Sequence, residues 1–161
     1  IEGVRILLDN KANPNFGRAI DTNRPLMIAA RWNYIEIAKI LLDPKYKTDV
    51  NAASTSNRTA LAIAAFHGYL EFVQELMKRP EIDVNVSNPV SLLYTTSGAL
   101  GVASRQGYTK VVEAMLAHLP DTKTFLLEHL NSAIGHAEFN KHVEIVTAIK
   151  AYKTKHYPDE K

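Results

Sequence analysis

Four segments of the chain share one order of apolar and polar positions: a short run of small residues, a turn residue, and an apolar stripe at helical spacing. They start at positions 24, 59, 98 and 132, so successive starts lie 35, 39 and 34 residues apart. A fixed period of this size is typical of repeat proteins. A fifth segment, residues 2–15, matches only the second half of the unit. The pattern predicts an all-α array of stacked helix pairs.

One unit, residues 59–77, shows how the pattern specifies structure. Thr59 is a good helix N-cap, and the alanines that follow favour a helix that a neighbour can approach closely. Gly68 ends that helix, since glycine adopts the left-handed conformation at little cost, and Asn33 takes the same place in the preceding unit. Apolar residues then recur at helical spacing: Leu70, Phe72, Val73, Leu76 and Met77. Because a two-helix unit cannot bury this stripe alone, it must stack on copies of itself.

These residues, together with the loop that follows, resemble the ankyrin repeat, whose hallmark is roughly T-P-L-H-x-A-A, a glycine, a second helix of L-E-I-V-x-x-L-L type, and A-D-V-N. The unit at position 59 matches at Thr59, Leu61, Ala64, Ala65, Gly68, Leu70, Glu71, Val73, Asp83, Val84 and Asn85. The preceding unit matches at Pro25, Leu26, Ala29, Ala30, Ile35, Glu36, Ile37, Leu41, Leu42, Asp49, Val50 and Asn51. The resemblance recurs in register over nearly the whole chain.

The units also depart from the family pattern. None keeps the histidine after the leucine, where the chain has Met27, Ala62, Gly101 and Gly135, and Pro25 alone keeps the proline. We therefore expect an array less stable than an ideal one. The loop 43–51 is two residues longer than the usual form and the segment 88–97 is longer still, whereas 123–131 is typical of a helix rather than a hairpin. The last two units are expected to be degenerate.

The resemblance implies a single ankyrin-repeat domain over residues 1–161, an all-α solenoid of stacked helix-turn-helix units with short hairpin loops. We expect a partial N-terminal unit, three repeats and a degenerate C-terminal capping unit. Their predicted bounds are 1–15 for the partial unit, 16–51, 52–85 and 86–120 for the repeats, and 121–157 for the cap.

Composition narrows the classes of function. The chain is 46% hydrophobic and 22% charged, which is typical of a folded protein. Its formal net charge of +2 is small for a nucleic-acid binder, which usually carries a basic face. The absence of cysteine excludes disulfides and thiolate metal sites. No apolar run approaches the roughly 20 residues that span a bilayer. We expect no nucleic-acid or membrane partner.

Sequence motifs give little support for catalysis. His136 and Glu138 have the spacing of the H-x-E of zinc deaminases, but that site also needs two cysteines. His136 and His142 are six positions apart, which predicts different helix faces rather than the i, i+4 pair of a zinc protease. The chain has no G-x-S-x-G, phosphate-binding loop or dinucleotide-binding motif. We predict no enzyme activity, no cofactor and no metal.

The positions that the repeat leaves exposed are the better indication of function. In the family, partners dock on a concave face made from hairpin tips and the ends of the first helices. The resemblance implies that two positions after the small-residue pair belong to it: Arg31 and Trp32, Phe66 and His67, Arg105 and Gln106, Phe139 and Asn140. Arg58 and Tyr94 would flank them, with Asp21, Asn23 and Ser97. Trp and Arg are enriched among binding hot spots.

An alternative interpretation of the aromatic residues stays open at this point. Trp32 and Phe66 could cover neighbouring units as core, Phe139 fits either role equally, and Tyr94 could pack inside its long loop.

Two functions fit these patterns. The first is a non-catalytic, monomeric module that binds a protein partner on the concave face in the cytoplasm. The second is a targeting or substrate-recruiting domain of a larger multidomain enzyme, or of a secreted bacterial effector acting in the host-cell cytoplasm, with its catalytic part outside this chain. The chain starts inside an apolar helix pattern, from which we expect a piece of a longer protein. A stand-alone enzyme would instead need a pocket with perturbed acids or bases.

Overall fold

A computed structural model describes residues 1–17, 23–55, 58–86, 98–117 and 127–159. Within these ranges the chain forms nine α-helices and one 3-10 turn and no β-strand. In chain order they are α1 (Glu2–Asp9), α2 (Pro25–Arg31), α3 (Ile35–Leu41), the 3-10 turn Pro44–Tyr46, α4 (Ala60–His67), α5 (Leu70–Met77), α6 (Gly98–Gln106), α7 (Thr109–Ala117), α8 (Leu127–Phe139) and α9 (Val143–His156). The predicted all-α repeat fold is confirmed.

The helices stack in two rows. We call α2, α4, α6 and α8 the leading helices and α3, α5, α7 and α9 the trailing helices, because each leading helix packs against the trailing helix that follows it. Successive leading helices contact one another, as do successive trailing helices, and α1 packs on α3. The contacts between successive leading helices are more extensive than those between successive trailing helices. Fully buried alanines such as Ala30 and Ala65 explain this close approach.

The ends of the leading helices follow the predicted chemistry. The side chain of Thr59 caps α4 by accepting a hydrogen bond from the backbone N–H of Ala62 at 3.1 Å. Gly68 ends the helix in the left-handed region with φ 71°, and Asn33 does the same with φ 54°. The last pair uses Lys141, with φ 63°, which was not expected. Both predicted roles in the unit at position 59 are confirmed.

Two residues that directly follow a turn, Tyr108 and His142, pack on the turn of the preceding helix pair. A Cβ built on Gly68 would lie 2.7 Å from Cε1 of Tyr108, and one built on Gly107 would lie 2.6 Å from Cε1 of His142. The His142 ring also donates a hydrogen bond from Nε2 to the carbonyl oxygen of Arg105 at 3.2 Å. At both positions glycine is needed twice, for the positive φ and for the closeness of the ring.

The predicted apolar stripes form the core. The largest fully buried side chains come from both rows and from every helix pair: Met27, Leu41, Leu61, Phe72, Leu76, Met77, Leu100, Met115, Leu130, Ile145 and Ile149. Ile37 and Val146, which lie on trailing helices, are only partly buried against this core. Each pair therefore buries its stripe against its neighbours rather than within itself.

Asparagine side chains connect successive loops. Asn15 donates from Nδ2 to the carbonyl oxygen of Lys47 at 3.0 Å, and its Oδ1 accepts from the backbone N–H of Asp49 at 2.7 Å. Asn51 makes the same two bonds one unit further along, at 2.7 and 2.8 Å. Each amide thus satisfies two backbone groups that belong to the next loop.

The longer loop at 43–51 contacts the N-terminal helix. Tyr46 donates to Oδ1 of Asp9 at 2.7 Å, and Lys45 pairs with the same oxygen at 3.3 Å. These hydrogen bonds, that from Tyr46 first, lower the pKa of the Asp9 carboxyl. The extra residues of the loop therefore join α1 to the rest of the array.

The third asparagine, Asn85, contacts a helix. Its Oδ1 lies 3.0 Å from Nδ1 of His129 on α8, so the ring donates where a backbone N–H donates in the earlier units. Helix α8 starts at Leu127, which confirms the predicted helix for its part of the segment 123–131; residues 123–126 lie outside the described ranges. A buried histidine of the next helix therefore bonds to the Asn85 side chain.

The buried His129 predicts a pH-dependent stability. Burial lowers the pKa of its ring, although Glu128 and Asp83 oppose the shift. The unfolded chain, with a histidine pKa near 6.5, takes up a proton first as the pH falls. The contribution of His129 to the free energy of unfolding should therefore be greatest above pH 6.5. It should decrease as the pH falls towards the pKa of His129 in the folded chain. Urea unfolding at pH 7.5 and 5.5 measures this change.

The matched variant is His129→Gln, which keeps a side-chain N–H but does not titrate. The other histidines contribute equally to both proteins, so the difference between their pH dependences isolates His129. An equal loss of stability in both proteins would contradict the prediction.

Candidate functional site

The predicted site residues occupy equivalent ends of the leading helices. All eight are exposed to solvent. We call them the leading-helix row: Arg31 and Trp32 at the end of α2, Phe66 and His67 on α4, Arg105 and Gln106 on α6, and Phe139 and Asn140 at the end of α8. Because the leading helices pack in order, these ends follow one another along the array.

The aromatic members of the row are exposed although their neighbours are buried. Trp32 is 62% exposed, Phe66 38% and Phe139 86%, whereas Ala30 and Ala65 are completely buried. The alternative in which Trp32 and Phe66 serve as core is therefore wrong. Exposed aromatic rings on a rigid helix end are available for contact with another molecule.

Ring contacts hold the middle of the row. The Phe66 and His67 rings meet edge to face with centroids 5.1 Å apart, and His67 stacks on Tyr69 at 5.2 Å. Such pairs restrict the rotamers that the exposed rings adopt. The surface is thus partly ordered in the absence of any ligand.

Three of the four leading helices carry positive and no negative side chains. Helices α2, α4 and α6 carry arginine and histidine and no carboxylate. Arg31 and Arg58 are exposed, and no carboxylate forms an ion pair with either in the described part of the chain. By contrast, Lys39 on α3 contacts both Glu36 and Glu71, at 2.9 and 3.2 Å. Arg31 and Arg58 therefore place positive charge on the leading side.

Arg105 brings positive charge to the junction with the last pair. The pKa of His136 on α8 is lowered by burial and, in second place, by the guanidinium of Arg105. A neutral imidazole beside a guanidinium leaves the positive charge concentrated on Arg105. His136 lies on α8, whereas His142 is the N-cap of α9. The prediction that the two histidines lie on different faces of one helix is therefore wrong, because they belong to different helices.

Some predicted flanking residues cannot be placed. Tyr94, Asp21 and Ser97 lie outside the described residues, so the predictions about them stay untested. Arg58 is exposed immediately before the N-cap Thr59, and Asn23 is half-buried.

Exposed apolar residues near Trp32 were not predicted from the repeat pattern. Ile28 is 44% exposed, whereas Ile63, at the equivalent position of the next unit, is only 6% exposed. Tyr34, just after the turn, is also exposed. The repeat pattern gave no signal for Ile28, because the matching residue one unit along belongs to the core.

The described residues form neither a cluster of metal ligands nor a membrane-spanning helix. Across the described ranges, no group of three or more His, Asp or Glu side chains is placed to hold a metal ion. No helix within those ranges is both long enough and apolar enough to cross a bilayer.

Comparison with known proteins gives consistent matches. Residues 1–88 match the family described as ankyrin repeats (3 copies). The chain is 46% identical over 89 residues to the ankyrin repeat and KH domain-containing protein mask of Drosophila melanogaster, covering 54% of this chain and 2% of that protein. It is 40% identical over 84 residues to the human ankyrin repeat and KH domain-containing protein 1, covering 52% of this chain and 3% of that protein.

A third relative aligns along almost the whole chain. The ankyrin repeat and KH domain-containing protein mask-1 of Caenorhabditis elegans is 29% identical over 160 residues, which is 99% of this chain and 6% of that protein. The chain thus spans only a small part, 2% to 6%, of these relatives. The family match covers more than half of the chain, and the stacked helix pairs agree with it. The chain belongs to the ankyrin-repeat family.

Proposed function

We propose that this chain is a non-catalytic protein-interaction module that binds a protein partner through the leading-helix row. Ankyrin repeats are generally protein-interaction modules and are typically non-catalytic. The observation that carries the proposal is the exposure of Trp32, Phe66 and Phe139 beside arginines on closely packed helices. An exposed tryptophan with neighbouring arginines has the composition of a binding hot spot.

The mechanism of binding is preorganised shape. The leading helices hold the row in place before a partner arrives, so little conformational entropy is lost on association. Trp32 and Phe66 act as apolar anchors, and Arg31, Arg58 and Arg105 bind carboxylates or backbone carbonyls. The module acts as a monomer in the cytoplasm and binds neither nucleic acid nor membrane, in line with its net charge of +2.

The double variant Trp32→Ala, Arg105→Ala tests this proposal. It should lose the captured partner in affinity capture from cell lysate, because each hot-spot side chain contributes about 2 kcal/mol or more, roughly 30-fold in affinity. The circular dichroism spectrum should stay that of the wild type, since Trp32 and Arg105 are exposed.

The matched control removes two exposed residues from a trailing helix, Lys110→Ala and Glu113→Ala on α7. This variant should hold the same partner as the wild type. Capture of one partner by all three proteins would refute binding through the leading-helix row.

A second candidate function is that of a targeting or substrate-recruiting domain within a longer protein. It is favoured by the names of the relatives, which combine ankyrin repeats with a KH domain, and by the small share of those proteins that this chain spans. The form of this idea that involves a bacterial effector gains no support, since the relatives reported come from a fly, a human and a nematode. Deleting these residues from the parent protein should remove its partner and leave its other activities intact.

A further inference from the structure

We infer that the partner presents to the leading-helix row an extended acidic segment, in which carboxylates flank an apolar side chain. This inference rests on the proposed function and deepens it, because it names the chemistry of the segment that is bound. Three observations carry it: the sign of the charge along the row, the alternation of charged and aromatic positions, and the spacing of the helices.

The charge along the row favours an acidic segment. Helices α2, α4 and α6 contain no carboxylate, and the arginines Arg31 and Arg105 lie at the same end of two of them. The five ion pairs of the described residues that lie away from α8 all involve trailing helices, α1 or loops. On α8, Glu138 is occupied by Lys150 at 2.8 Å. A segment that carries carboxylates is thus attracted to the arginines on this side of the array.

The alternation along the row sets the order of side chains in the segment. The first position of each helix end reads Arg31, Phe66, Arg105 and Phe139. A bound segment therefore meets a cation, an exposed ring, a second cation and a second ring. Carboxylates at the two cations and an apolar side chain at Phe66 complement this order, with Trp32 beside the first carboxylate.

The spacing of the helices sets the distance between the carboxylates. Packed helices lie about 8–10 Å apart, so Arg31 and Arg105, two helices apart, are separated by about 16–20 Å. An extended chain advances about 3.3 Å per residue, and it covers this distance in about five or six residues. The expected segment has two Asp or Glu residues separated by about that number, with an aromatic or aliphatic residue midway.

A protein segment fits this surface better than a nucleic acid. A polynucleotide carries a phosphate at every nucleotide and is bound by a continuous basic stripe. Here the cations alternate with phenylalanines, and the net charge of the whole chain is only +2. The separated cations suit separated carboxylates.

Selection from a random peptide library displayed on phage tests the inference with the wild-type chain as bait. Enriched peptides should be rich in Asp and Glu with an apolar residue between them. A labelled copy of the strongest peptide is then titrated by fluorescence anisotropy. The emission of Trp32, which is the single tryptophan of the chain, gives a second readout. It should shift to the blue and become protected from iodide when the peptide binds.

Charge variants assign the peptide to the row. Arg31→Gln with Arg105→Gln should weaken binding about a hundredfold or more, since each lost contact to a charged group weakens it about tenfold or more. The control Arg5→Gln with Lys110→Gln removes two positive charges from exposed positions on α1 and α7, and it should bind as the wild type does. Raising the salt concentration should weaken wild-type binding more than binding by the arginine variant.

Other results would overturn the inference. Neutral or basic peptides among those enriched, or no enrichment at all, would exclude an acidic linear segment. Tighter binding of single-stranded RNA than of the peptide, again through Arg31 and Arg105, would assign the row to nucleic acid. If the lysate partner is still lost with Trp32→Ala, Arg105→Ala while the acidic peptides fail, the interaction module stands and only the acidic segment is wrong. If that partner is retained, the proposed function itself fails.

Discussion

Replacing Phe72 with alanine is expected to lower the free energy of unfolding by about 3–5 kcal/mol. Phe72 lies in the middle of α5 and is among the side chains of the core that are fully buried. Its removal loses the transfer free energy of the ring and leaves a cavity that the surrounding helices fill only in part. Since domains are stable by about 5–15 kcal/mol in all, this change removes a large share of the total.

Urea unfolding followed by circular dichroism measures the change. Phe66→Ala is the matched control, because it removes the same side chain from the adjacent helix of the same pair at an exposed position. We expect it to cost less than about 1 kcal/mol. A similar cost at both positions would contradict the assignment of Phe72 to the core and Phe66 to the surface.

Replacing Gly68 with alanine is expected to lower the free energy of unfolding by about 2–5 kcal/mol, measured by urea unfolding as for Phe72. The positive φ of 71° accounts for about 1–2 kcal/mol, the usual penalty of a side chain in the left-handed region. The rest comes from the new methyl group, which would lie 2.7 Å from the Tyr108 ring and force it to move. Overpacking of this kind costs about 1–3 kcal/mol.

Two controls separate these causes. In a Tyr108→Ala background the same glycine change should keep only its backbone cost, so a double-mutant cycle gives the contribution of the ring. Gly135→Ala on α8, where an added Cβ meets nothing within 4 Å, should instead stabilise the helix by about 0.5–1 kcal/mol. If the change at Gly68 proves as harmless as that at Gly135, the ring contact does not constrain this turn.

The parts of the fold that follow from local physics were predictable. The N-cap at Thr59, the left-handed turn at Gly68 and the stripe through Phe72 and Leu76 depend on side-chain chemistry and helical period within one unit. The all-α stacking followed because a helix pair has no other way to bury that stripe.

The remaining features depend on contacts between units, which a single unit does not encode. Ile28 is exposed and Ile63 buried because their neighbours in the stack differ, although the repeat pattern gives both the same place. Lys141 adopts a left-handed conformation that lysine disfavours, at a turn fixed by α8 and α9 on either side. His129 reaches Asn85 because α8 starts before the small-residue run.

For the candidate site, the exposure of its positions was predictable from the sequence, whereas its distribution of charge was not. The register of the repeat was enough to choose the exposed ends of the leading helices. The uneven distribution of charge could be recognised only in three dimensions. It requires knowing that Lys39 forms ion pairs with Glu36 and Glu71, whereas Arg31 pairs with no carboxylate among the residues that the structure describes.

The ring that rests on each turn glycine has a consequence for how such an array can evolve. Tandem arrays lengthen most simply by duplication, yet here a turn at Gly68 suits a following unit with Tyr108, and a turn at Gly107 suits one with His142. A copied unit whose turn residue carries a side chain, as Asn33 does, would meet the Tyr108 ring if it were inserted before it. The units of this array are therefore not interchangeable, and recombination between them should be tolerated only where turn and ring are inherited together.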